Sequence, residues 1–138
     1  MATVDDVREI ALGLPEVTES VSAQAGGASW RVGTGLFAWE RGPRKSDLAA
    51  LEAQGRSWPE GPVIGIRTDG LDAKEALLAS LPEILFTIPH FDGYPAVLVR
   101  LDAVDRDQLA ELVTDAWIVK APKRLSKAWL AERGLAAD

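Results

Sequence analysis

Apolar residues recur at helical spacing at both ends of the chain, while the middle consists of short β-branched and aromatic runs cut by glycine and proline. Helices at the two ends must bury an apolar stripe on something, and the strands between them supply a sheet. The pattern therefore predicts an α+β fold: a mostly antiparallel sheet with helices at both ends of the chain. Thr3 is placed to cap a first helix on which Val4, Val7, Ile10, Ala11 and Leu14 recur, closed by Leu14-Pro15. Asp105 caps a late helix bearing Leu109, Leu112, Val113, Ala116 and Trp117, and Pro122 starts a last one running to about Arg133. Leu71 to Leu81 reads as an internal helix ended by Pro82.

Residues 28–32 and 36–41 read as a hairpin around Gly33-Thr34-Gly35. A two-residue loop there places Trp30, Val32, Phe37 and Trp39 on one sheet face. Residues 63–68, 84–88 and 96–101 are three further strands. The last two are joined by Pro89-His90-Phe91-Asp92-Gly93-Tyr94-Pro95, whose prolines stop the ladder. Residues 42–62 are irregular, with one short helical pattern after a Ser46 cap, and read as an insertion in the sheet. No repeat interrupts a single domain spanning 1–138.

Composition enters where chemistry is at stake. With 138 residues, 47% of them hydrophobic, the chain can bury its own core. The absence of cysteine excludes disulfides, thiolate zinc sites and cysteine nucleophiles, and one histidine excludes multi-histidine metal cages. Neither a Gly-x-Ser-x-Gly elbow nor a glycine-rich phosphate loop occurs. Asp102, Asp105 and Asp107 lack the loop glycine and distal glutamate of a calcium hand. A non-catalytic protein with no metal and no cofactor is the expectation. No run of about 18 apolar residues exists, and the N-terminus carries Asp5, Asp6 and Arg8, which predicts a cytoplasmic protein without membrane association.

The net charge of −6 argues against general phosphate binding, but the charge is polarised. Residues 118–138 hold five basic against two acidic side chains, a net +3, which leaves −9 on residues 1–117. At about 100° per residue, Lys123, Arg124 and Lys127 form one arc of the last helix beside an apolar seam of Leu125, Ala128 and Trp129. With Lys120 they make a basic face, and Arg41, Arg44 and Lys45 make a second cluster after the hairpin. If both clusters face one way, they can straddle a phosphate backbone.

The 89–95 loop concentrates the lone histidine, a carboxylate and two aromatic rings. One reading is a rigid connection whose rings cover the sheet end. The other is a ligand site in which Asp92 orients His90, Phe91 and Tyr94 stack on a ring or base, and Trp30 with Trp39 adds an aromatic platform. Core packing is the simpler account of Trp30 and Trp39.

Leu14-Pro15-Glu16-Val17-Thr18-Glu19 and Trp30-Arg31-Val32 leading to Leu36-Phe37-Ala38 resemble the MmcQ/YjbR-like family. So do Lys74-Glu75-Ala76-Leu77-Leu78, Phe86 to Leu101, Asp115-Ala116-Trp117 and Ala121-Pro122-Lys123-Arg124-Leu125. Ala23-Gln24-Ala25-Gly26-Gly27 stands where a short aromatic or charged turn is expected of that family. The resemblance implies a double-wing, CyaY-like α+β fold, with the helices of both chain ends packed on one side of the sheet, and a DNA-binding label, and it names no catalytic residues. Two functions follow as expectations. One is a DNA-binding or regulatory module using the basic residues named above. The alternative is a small-molecule or protein binding domain whose pocket is rimmed by His90, Asp92 and Tyr94, taking a small anionic ligand or a protein partner. Either suits a monomer or a homodimer.

Overall fold

The computed structural model describes residues 1–22 and 26–134. Ala23, Gln24 and Ala25 of the 23–27 stretch, and Asp138 of the tail's charge, lie outside the described residues. α1 (Val4–Leu12) begins at Thr3, whose hydroxyl accepts the Asp6 N–H while the Asp6 carboxylate accepts the Thr3 N–H. This reciprocal cap satisfies two of the donors left open at a helix start.

The chain then enters β1 (Val17–Ser22), a strand that sequence reading misses because four of its six residues are polar. Pairing makes it a strand: β1 lies antiparallel to β2 (Gly27–Val32), from Val17 opposite Val32 to Ser22 opposite Gly27. The Glu19 carboxylate ties it to its surroundings, accepting the Trp30 indole N–H at 2.9 Å and pairing with Arg8 of α1 at 3.1 Å.

β2 turns through Gly33-Thr34 into β3 (Gly35–Glu40), with Gly33 in the left-handed region at φ 59°. The loop has two residues, as expected, yet the expected face assignment fails. Trp30 pairs with Ala38 but Arg31 pairs with Leu36, so Phe37 is an extra residue in β3. One inserted residue inverts the pleat beyond it. Phe37 stays with Trp30 in the core, whereas Trp39, opposite Ser29, is moved to the other face with Arg31 and Leu36.

The insertion contains α2 (Lys45–Ala53). Its cap position is Arg44 rather than Ser46, and the Asp47 carboxylate accepts the Arg44 N–H at 2.9 Å. Next come β4 (Val63–Arg67), α3 (Gly70–Ser80) and β5 (Leu85–Phe86). β5 is shorter than expected because Ile88 leaves the ladder to pack beside Leu51 and Phe91, and a 3-10 turn follows at Pro89–Phe91. β6 (Ala96–Arg100), α4 (Arg106–Lys120) and α5 (Lys123–Glu132) complete the order, with the Asp105 carboxylate capping α4 through the Gln108 N–H.

The sheet is antiparallel throughout, in the order β1-β2-β3-β4-β6-β5. Trp30, Val32, Ala38, Ile64, Ile66, Val97 and Val99 point to one face, where α1 and α4 bury Val7, Ala11, Leu109, Val113 and Trp117 against them and α5 packs Leu125 and Trp129. The helices from both chain ends therefore share one side, as the family resemblance implies. Val63, Leu98 and Trp39 point to the opposite face, which α2 and the 3-10 turn cover with Leu51, Ile88 and Phe91. That cover reaches only the β3-β4-β6 part of the sheet. Thr18, Ser20, Ser29 and Arg31 of β1 and β2 remain an open polar surface beside it. Among the described residues no helix is long and apolar enough to cross a membrane.

Because Trp30 is fully buried, Trp30→Ala is expected to cost about 3–5 kcal/mol in denaturant unfolding, and the half-buried Trp39→Ala distinctly less. Equal losses would contradict the difference in burial between the two indoles.

Candidate functional site

Where the cover over the second face ends, a cavity of about 480 Å³ opens. Its floor is Ser29 and Arg31 of β2 with Leu36 and Trp39 of β3, and its walls are Arg41 and Arg44 before α2 and His90, Phe91 and Tyr94 of the 89–95 loop. The Phe37 bulge puts Trp39 here. Its indole needs the space over Gly65, where an added Cβ would lie 2.4 Å from the ring. Phe91 packs between Trp39 and Tyr94, with ring centroids at 6.3 and 5.5 Å.

The charges of the cavity are unequal in kind. Arg41 is buried, pairs with Asp47 at 2.8 Å, donates to the Gly42 carbonyl, and lies over the rings of Trp58 and Phe91. It is a structural cation, held by a carboxylate and two π faces, rather than the free phosphate contact expected of it. Burial raises the Asp47 carboxyl, but the Arg44 N–H and the Arg41 guanidinium outweigh it and hold the group below its ordinary 3.8. Arg31 and Arg44 have no carboxylate partner among the described residues. Arg31 donates to the Ser29 hydroxyl at 3.1 Å, and Arg44 is exposed. Two guanidiniums without a carboxylate partner among the described residues thus meet a histidine and a phenol around one concave space, which gathers positive charge and hydrogen-bond donors there.

The expected site residues are redistributed. His90 and Tyr94 do face the cavity, together with Arg44 and the side of Arg41. Trp30 does not, because it lies in the core of the other face with its N–H on Glu19. Asp92 does not line it either and makes no hydrogen bond to His90. It sits beyond the loop with Lys74 and Thr87. Lys45 is exposed on α2 and does not line the cavity. Lys123, Arg124 and Lys127 are exposed on α5, which packs through Trp129 on Trp117, 5.6 Å between centroids, over the opposite sheet face. Arg124 is 3.7 Å from Glu16, and Lys120 lies against the β2–β3 turn at Gly35. The two basic clusters thus do not line one cavity.

Two site residues escape sequence reading. Arg31 is legible only as the polar position of an alternating strand. Lys74 is a lysine on the apolar stripe of α3, three residues from Leu71 and Leu77; it is 6% exposed and donates to the carbonyls of Phe91 at 2.6 Å and Tyr94 at 2.8 Å. Burial pushes its ammonium below the ordinary value of 10.5, while the charge of Asp92 acts the other way. A larger cleft of about 550 Å³ lies between α3 and α4, with walls of Ile66, Ala76, Leu77, Leu112 and Ile118 and with Arg67, Asp69 and Asp115 also facing it. Its one arginine, Arg67, is engaged by the Pro95 carbonyl and the Tyr94 ring, and no aromatic side chain lines it.

An antiparallel sheet carrying the helices of both chain ends on one face defines an α+β class of protein. The chain belongs to the YjbR family, whose model matches residues 12–118. It is similar to uncharacterised proteins of Mycobacterium bovis and Mycobacterium tuberculosis, each 48% identical over 134 residues, covering 97% of this chain and 100% of theirs. The fold is similar to the crystal structure of a Deinococcus radiodurans protein with a DUF419 domain, with a TM-score of 0.64 and 21% identity over 100% of this chain and 94% of that one.

The buried Arg41–Asp47 pair sets a stability prediction. Asp47→Asn leaves Arg41 without its counter-charge and is expected to cost about 3–5 kcal/mol at neutral pH. Since the folded-state value of Asp47 is depressed, its contribution is present above 3.8 and is lost as pH falls through the folded value. Urea unfolding from pH 7 to pH 2 should accordingly show a shallower acid loss in the variant. An unchanged acid limb would remove Asp47 from the account.

Proposed function

We propose that this protein binds a small organic anion with a planar ring in the cavity on the open sheet face. The observation that carries the reading is the meeting of Arg31 and Arg44, neither paired with a carboxylate among the described residues, with Trp39, His90 and Tyr94 around one concave space. Guanidiniums bind carboxylate or phosphate oxygens through paired N–H donors, and the indole and phenol rings supply stacking faces. Arg41–Asp47 and the core contacts of Phe91 hold the walls in place before a ligand arrives, which lowers the ordering cost of binding.

A direct test is available because His90 and Tyr94 are the only histidine and tyrosine. Their ring protons are single-residue reporters in NMR. Titration with phenyl phosphate is expected to move both sets saturably, and benzylamine to leave them in place. Arg31→Ala and Arg44→Ala should each weaken phenyl phosphate about tenfold or more, the loss of one charge-assisted hydrogen bond. Undiminished affinity in the double variant sinks the reading.

A second reading, phosphate contact by the α5 face, is favoured by Lys123 and Lys127, which are exposed and have no carboxylate partner among the described residues. In this reading the chain is a DNA-binding or regulatory module whose affinity falls steeply with salt. A duplex gel shift at about 50 mM salt, compared with Lys123→Ala/Lys127→Ala, decides it. Absence of a shift there removes this reading and leaves the cavity untouched.

A further inference from the structure

Lys74 is the only lysine among the described residues that the fold buries, and it uses that position on backbone oxygens rather than on a carboxylate pair. The two carbonyls it grips, of Phe91 and Tyr94, bracket Asp92 and Gly93, so one ammonium holds both ends of the turn. Gly93 takes φ 75°, which lets the chain reverse between them. The loop is fastened from other directions too. Phe91 is sunk in the core, and Arg67 donates to the Pro95 carbonyl at 3.1 Å while its guanidinium lies 5.0 Å from the centre of the Tyr94 ring. His90 and Tyr94 emerge on the side of Arg31 and Arg44. Asp92, the loop's only carboxylate, emerges on the other side, beside Lys74 and Thr87.

We propose that Lys74 is a positioning residue that sets the polarity of the cavity, turning His90 and Tyr94 toward Arg31 and Arg44 while keeping Asp92 away from them. A carboxylate brought among the unpaired arginines would neutralise one of them and repel an anionic ligand. Lys74 prevents this twice, by fixing the turn through its hydrogen bonds and by attracting Asp92 to its own charge. This inference rests on the anion-binding reading, but its first consequence is visible in the ligand-free protein.

The test compares the full chain with Lys74→Met, Asp92→Asn and the double variant, using phenyl phosphate as the probe. In ligand-free Lys74→Met the ring signals of His90 and Tyr94 should move and the Tyr94–Phe91 proton contacts weaken. The affinity for phenyl phosphate should fall about tenfold, and Asp92→Asn in the same background should recover most of that loss. Asp92→Asn alone should leave affinity within about twofold, because the carboxylate already lies outside the cavity. Unmoved ring signals in a folded Lys74→Met, or no recovery in the double variant, overturns the proposal. So does a rise of about tenfold in Asp92→Asn alone, and this outcome remains readable should Lys74→Met not fold. If the wild-type protein binds no phenyl phosphate, the binding reading falls, while the ligand-free signals still decide whether Lys74 positions the loop.

Discussion

The structure depends on the pleat of one strand being broken once. Without the extra residue at Phe37, Trp39 would stand beside Trp30 in the main core and the opposite face of β3 would lose its ring. With it, the main core keeps Phe37 and Ala38, and Trp39 crosses to the face where Gly65 leaves it room. The second hydrophobic cluster, built on Trp39 with Leu51, Phe91 and Leu98, follows from that crossing. So does the cavity, because α2 and the 89–95 loop dock on that cluster and stop short of β1 and β2. A bulge in an antiparallel pair re-aims every side chain beyond it, and here the re-aimed side chain joins a candidate ligand site.

Two buried cations hold the walls of that site, and they do so by different means. Arg41 has a carboxylate, a backbone carbonyl and two aromatic faces around a planar group, which together offset its removal from water. Lys74 has two carbonyl oxygens at short distance and the field of a nearby aspartate, a weaker compensation consistent with its lowered proton affinity. Neither cation is free to meet a ligand. That leaves Arg31 and Arg44 as the cavity's arginines without a carboxylate partner among the described residues, so the sequence count of basic residues overstates what the surface offers at this point.

The helices, the hairpin loop and most strand positions were legible because each rests on local pattern: apolar spacing, capping residues, and glycine or proline at the breaks. β1 was not, since a strand at the sheet edge with polar residues on its open face has no hydrophobic alternation to show. The candidate site was legible in part. His90 and Tyr94 were visible as an unusual cluster, and Arg44 as part of a basic run, but pairing them with Arg31 requires the register of β2 against β3. Trp30 and Trp39, equal in sequence, part company only through the bulge. Arg41 and Arg44, three residues apart, differ because one meets Asp47 and two aromatic rings and the other meets solvent.

By itself the sequence determined the class of fold and the chemistry this chain cannot perform through cysteine or a histidine cluster. Those follow from composition and from periodicities short enough to be felt within one element. Tertiary structure decided which charges are spent on the fold and which are left unpaired, and which face each tryptophan serves. It also decided whether the two basic clusters share a cavity. These depend on contacts between residues far apart in the chain, such as Lys74 with Tyr94 or Trp39 with Gly65, and on a strand register that a single inserted residue inverts.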